Sequence, residues 1–241
     1  MLGPLRERSD RAGVLLDFDG SLSPIVARPD DAAPVRGARE VLAALAARYR
    51  LVALVSGRPS DELVARIDVP GLAYVGLYGL EAAAPELTHA LLPRVETAAA
   101  VVPEAWVEDK RVSVAVHYRQ TSDPAGARRA LVVALEPVAA DAGMHLIEGK
   151  MVLELVPPDR PLKGGAVRDI VGAHGLEAVL YAGDDVADLD AFSTLDQLTT
   201  AGTHVVKVAV RGTETPAELL ERADLVVDGP EGLVELLRSL V

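Results

Sequence analysis

The sequence predicts an α/β fold: a Rossmann-like parallel-sheet core interrupted once by a smaller α+β module. Three observations carry this expectation. Short, uninterrupted apolar runs at residues 14–16, 51–55, 73–77 and 179–182 suit strands buried on both faces of a parallel sheet. Residues 111–119 and 150–156 instead alternate with period two, as half-covered antiparallel strands do. From Lys163 onward the first rhythm returns.

Taken in order, the run Val14-Leu15-Leu16 ends in Asp17-Phe18-Asp19-Gly20-Ser21, and Gly20 lets the chain leave the strand sharply. A Pro/Asp-rich loop at 24–34 leads to a helix over 37–49 with Val41, Leu42, Leu45 and Ala46 as its apolar stripe. The run 51–55 closes in Ser56-Gly57-Arg58, then Pro59, an N-cap at Ser60, and Asp61 and Glu62 in the first helical turn. The run 73–77 closes in Tyr78-Gly79-Leu80-Glu81.

In the alternating module, Val112, Val114, Val116 and Tyr118 face one way and Arg111, Ser113, Ala115, His117 and Arg119 the other. Asp123 and Pro124 open a helix through Leu131, Val132, Leu135 and Val138 that kinks at Pro137 and stops at Gly143. Residues 150–156 then place Lys150, Val152 and Glu154 on one face. After Lys163 a helix through Val167, Ile170 and Val171 ends at Gly175, and strand 179–182 runs into Gly183-Asp184-Asp185-Val186-Ala187-Asp188. Strands near 205–210 and 225–227 alternate with helices near 216–223 and 231–240. The expected domains are 1–88 with 159–241 for the core and 89–158 for the module.

A chain of 241 residues can bury roughly 70–75% of its unfolded surface, so it needs no covalent staples. It has no cysteine, which removes disulfides and thiolate metal sites and agrees with a reducing compartment. The formal charge of −12 carries no basic tail or Lys/Arg cluster, so nucleic acid and anionic membranes are poor partners. The apolar run after residues 1–13 is too short for a signal peptide or a membrane span. A soluble, cytoplasmic, monomeric protein is expected.

Asp17/Asp19, Ser56, Lys163 and Asp184/Asp185/Asp188 all fall at carboxyl ends of expected core strands or the start of the next helix, where open α/β sheets bind ligands. Two carboxylates about 4 Å apart repel by roughly 4 kcal/mol at an effective dielectric near 20, a cost that a cation removes. All-oxygen donors favour a hard divalent ion, Mg²⁺ in the simplest case. Lys163 and the Ser56 hydroxyl suit phosphoryl oxygens. Asp17 could attack phosphorus, and Asp19 could protonate the leaving alkoxide and then deprotonate water.

Asp17-Phe18-Asp19-Gly20-Ser21, Ser56-Gly57-Arg58, Lys163-Gly164-Gly165 and Gly183-Asp184-Asp185 resemble, in order and spacing, the four signature motifs of haloacid dehalogenase (HAD) superfamily phosphatases. The inserted module looks like that superfamily's C2-type cap. Val107-Glu108-Asp109-Lys110, Val116-His117-Tyr118-Arg119, Gly149-Lys150-Met151-Val152-Leu153-Glu154 and Asp188-Leu189-Asp190-Ala191-Phe192 are similar to motifs of trehalose-6-phosphate phosphatases. The resemblance implies Asp17 as nucleophile and Asp19 as acid/base. It implies Mg²⁺ on Asp17, the Asp19 carbonyl and Asp184, with Asp185 and Asp188 close behind. Ser56, Lys163, Gly57 and Arg58 are implied at the phosphate, and Glu108, Arg119, Lys150 and Glu154 on the sugar hydroxyls of a phosphorylated disaccharide.

Tyr78 stands where the family usually has His, Ser21 replaces Thr, and Ala187 and Leu189 replace polar residues; none of these removes a catalytic group. Other capped sugar phosphatases, for sucrose phosphate or a glycosyl phosphoglycerate, share the core. A receiver-like phospho-Asp module is the alternative of a different class, and Asp19, the cap and the length argue against it. Asp190 reads as a first-turn acid favoured by the helix dipole. His89, His145, His174 and His204 have no ligand spacing.

Overall fold

The structure, a computed structural model, describes residues 1–82, 86–158 and 162–241, with residues 80–82 and 86–89 described by their backbone. The chain divides into two units, Met1–Gly79 with Pro161–Val241, and Leu80–Arg160. The first part of the core runs α1 (Gly3–Glu7), β1 (Ala12–Leu16), α2 (Ala38–Arg48), β2 (Leu51–Val55), α3 (Ser60–Ile67) and β3 (Ala73–Val75). The second unit holds α4 (Glu86–Ala99), β4 (Trp106–Asp109), β5 (Val114–His117), α5 (Pro124–Asp141), β6 (His145–Gly149) and β7 (Val152–Val156). The core resumes with α6 (Lys163–His174), β8 (Ala178–Gly183), α7 (Val186–Thr200), β9 (His204–Arg211), α8 (Ala217–Arg222), β10 (Leu225–Asp228) and α9 (Gly229–Arg238).

The core sheet has the order β10-β9-β8-β1-β2-β3, with every pairing parallel. Its strands are apolar on both faces because both are covered. Val14 and Leu16 pack with Leu42, Leu45, Leu63, Ile67 and Leu237 from α2, α3 and α9. Leu15, Ala53, Val179 and Tyr181 pack with Val167, Val171, Phe192 and Leu195 from α6 and α7. The chain winds from β1 outward through β2 and β3, then returns to β8 on the other side of β1. The ends of β1 therefore lie at a topological switch point, where a crevice opens between diverging connections.

The second unit is a four-stranded antiparallel sheet in the order β4-β5-β7-β6. Val114, Val116, Leu153 and Leu155 pack against Leu91 and Val95 of α4 and Leu131 and Leu135 of α5. Registers put Glu108, Ala115 and Glu154 side by side across three strands on the other face, with Trp106, His117 and Val152 in the next such row.

Local differences from the sequence expectation have local causes. Ser60 is the first helical residue, with Pro59 as the cap. The third core strand stops at Val75 because Leu77 and Tyr78 take left-handed dihedrals that end any ladder. The 111–119 strand starts only at Val114, since residues 110–113 form a hairpin turn in which Arg111 has φ +70°. Its supposedly open face is half closed: Ser113 and Ala115 are buried. Lys150 sits with Met151 in the turn joining β6 to β7, not in the strand with Glu154. The helix at 124–141 runs on through Pro137. Helices α1 and α4 and strands β4 and β6 were not anticipated. Among the described residues, no helix is long and apolar enough to cross a membrane.

Candidate active site

The ladder delivers the first carboxylate: the Asp17 amide donates to the Ala182 carbonyl at 2.9 Å, so Asp17 continues β1 beyond its last assigned residue. By alternation its side chain leaves on the Leu15 side, the side covered by α6. There the Lys163 ammonium, on the first residue of α6, lies 2.9 Å from Asp17 Oδ2 and 2.7 Å from Asp188 Oδ1. Asp17, Lys163 and Asp188 are 4%, 2% and 0% exposed. Burial pushes the Asp17 carboxyl well above the usual range; Lys163 opposes this, and Asp188, Asp185 and Asp184 add to it. Burial alone would lower the Lys163 pKa, but Asp17 and Asp188 more than reverse that, and Lys163 is held cationic.

Asp188 accepts four hydrogen bonds. Oδ1 takes the Tyr181 hydroxyl at 2.6 Å and Lys163, and Oδ2 takes the amides of Asp184 and Asp185 at 2.8 Å each. Asp185 caps α7 through Ala187 and Asp188, completing a capping box. Asp190 is more than a first-turn acid: its Oδ2 accepts the Gly164 amide at 2.7 Å, tying α7 to the start of α6. Only glycine fits at 164, where a Cβ would lie 2.3 Å from Thr194 Oγ1.

Asp19 has a different environment, one-third exposed. Arg58 grips it with both arms of the guanidinium, Nε to Oδ2 at 2.7 Å and Nη2 to Oδ1 at 2.8 Å. Arg58 also bonds Glu62 and the Pro29 carbonyl and stacks 5.7 Å from the Phe18 ring centroid. So Arg58, expected at a phosphate, is here the holder of Asp19. Ser56 is buried, and its Oγ accepts the Arg58 amide at 3.2 Å. Above Gly57 stands Tyr78, whose hydroxyl a Cβ at 57 would meet at 2.9 Å, and whose ring lies 5.8 Å from Lys163 Nζ.

The acids fit a hard cation. One oxygen each of Asp17, Asp185 and Asp188 lie within 4.8 Å of one another, a group that could hold a metal ion. Asp188, however, commits both oxygens to the four donors above, which leaves Asp17 and Asp185 as the better donors of that group. Asp184 lies against the Gly20 turn: Gly20 has φ +84°, and a Cβ there would fall 2.1 Å from Asp184 Oδ2. This close approach brings the turn carrying the Asp19 carbonyl to the Asp184 carboxylate. Gly20→Ala should therefore displace Asp184 and strain the turn, with a greater loss of divalent-ion affinity in a calorimetric titration than of folded stability. Wild-type affinity in that variant would refute this placement.

In the second unit, Glu108 Oε2 lies 2.7 Å from His117 Nε2, and the His117 ring stacks on Trp106 at 4.1 Å. Glu154 accepts the Ser113 hydroxyl and pairs with Lys110 at 3.6 Å. Arg119 donates to the Lys150 carbonyl at 3.1 Å. Glu108 and Glu154 thus share one face, while Arg119 and Lys150 meet beyond the strand ends. The side chain of Glu81 lies outside the described residues. Sequence reasoning missed Tyr181; the signal available was a hydroxyl in an otherwise aliphatic buried strand, which must find a partner.

A family model described as Trehalose-phosphatase matches residues 15–222. The trehalose-phosphate phosphatase of Mycobacterium leprae (strain TN) is 35% identical over 225 residues, covering 83% of this chain and 51% of its own length. That of Mycobacterium bovis (strain BCG / Pasteur 1173P2) is 35% identical over 242 residues, covering 92% and 59%. An uncharacterized glycosyl hydrolase of Mycobacterium tuberculosis (strain ATCC 25618 / H37Rv) is 37% identical over 207 residues, 77% of this chain and 15% of its own. The chain spans about half the length of the curated trehalose-phosphate phosphatases it matches. Among solved structures, the C-terminal domain of Candida albicans trehalose-6-phosphate phosphatase superposes with a TM-score of 0.80 at 20% identity, covering 98% of this chain and 93% of that one. A haloacid dehalogenase-like hydrolase from Bacteroides thetaiotaomicron gives 0.62 at 15% identity, with 95% and 99% covered. At these identities the superpositions speak for the fold.

Proposed function

Because the chain belongs to the trehalose-phosphatase family, we propose that it is a Mg²⁺-dependent phosphatase that cleaves trehalose 6-phosphate to trehalose and inorganic phosphate. The observation that supports this best is the division of labour between two carboxylates two residues apart. Asp17 is buried beside Lys163, and Asp19 is one-third exposed in the fork of Arg58.

In the first step Asp17 attacks phosphorus, an Asp17 oxygen–phosphorus bond forms, and the bond from phosphorus to the sugar oxygen breaks. Asp19 gives its proton to that leaving oxygen. Both Asp19 oxygens are engaged by Arg58, so this step requires Asp19 to turn out of the fork. In the second step water attacks phosphorus, Asp19 takes the water proton, and Asp17 is released. Lys163 and Ser56 bind the phosphoryl oxygens and orient them for attack. Asp17, Asp184 and the Asp19 carbonyl would hold a divalent cation, with Asp185 as a further donor and Asp188 behind them, and the ion would supply the positive charge that four clustered aspartates and a phosphate require. Glu108, Arg119, Lys150 and Glu154 are the sugar ligands of this reading, since a disaccharide presents hydroxyls to charged hydrogen-bonding groups.

Phosphate release is to be measured over trehalose 6-phosphate, sucrose 6-phosphate, a glucosyl phosphoglycerate and glucose 6-phosphate, each with Mg²⁺ and with chelator. Trehalose 6-phosphate should be preferred, with activity lost in chelator and restored by Mg²⁺. Equal hydrolysis of all four esters would refute the substrate. Glu154→Gln should raise KM for trehalose 6-phosphate by about tenfold, the worth of one charge-assisted hydrogen bond, while leaving hydrolysis of p-nitrophenyl phosphate nearly unchanged.

A further inference from the structure

We propose that Tyr181 is a positioning residue for phosphoryl transfer: through Asp188, its hydroxyl sets where the Lys163 ammonium rests between Asp188 and Asp17. The proposal rests on the phosphatase reading above.

Tyr181 lies on β8, in register with Leu15 of β1, and is fully buried on the side of the sheet covered by α6 and α7. It is the one residue of β8 with a polar side chain, among Ala178, Val179, Leu180, Ala182 and Gly183. Packing does not ask for a hydroxyl there, and phenylalanine would fill the same space. The ring is set edge-on against Phe192, with centroids 6.3 Å apart at 84°, which fixes where the hydroxyl oxygen sits. That O–H is spent on the functional cluster, donating to Asp188 Oδ1 at 2.6 Å.

The consequence follows from what else Asp188 holds. Its Oδ2 is pinned by two backbone amides, so the carboxylate cannot rotate without losing both bonds. Lys163 and Tyr181 therefore compete for the same oxygen, Oδ1. The hydroxyl shares the charge of Oδ1, which leaves the ammonium divided between Asp188 at 2.7 Å and Asp17 at 2.9 Å. Without the hydroxyl, Lys163 is the remaining donor to Oδ1 and is drawn toward Asp188. It then moves away from the nucleophile and from the phosphoryl group that Asp17 attacks.

The test compares wild type, Tyr181→Phe, Asp188→Asn and the double variant in the full chain with Mg²⁺. Three quantities are read: turnover of trehalose 6-phosphate, binding of orthovanadate by calorimetry, and the thermal midpoint. Tyr181→Phe should lower kcat by about 10- to 100-fold, as small misplacements of a catalytic group do, with KM within about twofold and the midpoint not lowered. Orthovanadate, a mimic of the five-coordinate phosphoryl group, should bind about tenfold more weakly, because a loss confined to the transition state appears in its analogue. On the Asp188→Asn background the same change should add little, since the hydroxyl acts through Asp188. Wild-type kcat and vanadate binding in Tyr181→Phe would overturn the proposal, as would losses that multiply in the double variant. If wild type released phosphate from no ester, the phosphatase reading would fail and this proposal with it, whereas an active wild type with an unimpaired Tyr181→Phe would overturn this proposal alone.

Discussion

If the chain is the phosphatase proposed above, Asp17→Asn should lower turnover by at least about 10⁴-fold, the order lost when a covalent nucleophile is removed, and at neutral pH it should raise the thermal midpoint of the chelator-treated protein. The two effects share one cause. Burial and the neighbouring aspartates hold the Asp17 carboxyl well above its ordinary range despite Lys163, so its ionised form is a cost to the fold. A group whose folded pKa is raised contributes stability at pH below its unfolded value, and that contribution is lost as pH rises through the folded value. Neutral pH lies above the unfolded carboxyl's range, so that contribution is already diminished there, and an amide, which needs no charge, is preferred. In acid the wild-type carboxyl takes up a proton and the advantage of Asn disappears. Thermal unfolding of both proteins across pH checks the sign: a gain that grew toward acid would refute it. Such a trade of stability for reactivity is what the proposed role of Asp17 as a buried nucleophile would entail.

Lys163→Met has the opposite effect on stability. The ammonium is the cation buried between Asp17 and Asp188, and its removal leaves two carboxylates uncompensated. Breaking a buried pair from one side costs on the order of 3–5 kcal/mol, and turnover should fall about 10³-fold with the loss of phosphoryl stabilisation. Denaturant titration measures the first and steady-state phosphate release the second. Adding Asp17→Asn should recover part of the lost stability and none of the activity. Were Lys163→Met as stable as wild type, the ammonium would not be offsetting the carboxylates. The Lys163 pKa is raised, so its contribution is undiminished through neutral pH and is lost only in strong alkali.

Much of the candidate site is legible in the sequence. Asp17 and Asp19 stand out as two acids closing an apolar run, with Gly20 marking the turn, but either alone reads as a loop cap and gains weight only from the ordered set of motifs. Ser56 and Lys163 became legible only as members of an ordered set, since either alone reads as a turn residue or a solvated helix start. The cap was legible as a change of period, but its turns were not. Lys150 continued the alternation of β7 across a hairpin whose two turn residues, Lys150 and Met151, carry no turn signature, and Arg111 did the same before β5. Asp190 read as a dipole effect because its partner, the Gly164 amide, lies 26 residues away in sequence.

What the sequence determined by itself was the periodicity of burial and the residue types at the ends of strands, and so the layer architecture and the chemistry available at one sheet edge. Those properties are local, written in spacing along the chain. What the tertiary structure decided was who holds whom. Arg58 grips Asp19 across 39 residues, Lys163 divides itself between Asp17 and Asp188, and Tyr181 reaches Asp188 from the adjacent element. Two of these depend on strand order: Arg58 reaches Asp19 because β2 pairs with β1, and the Lys163–Asp188 pair meets Asp17 because the chain reverses its winding to lay β8 against β1, and no periodicity encodes which strand becomes the neighbour.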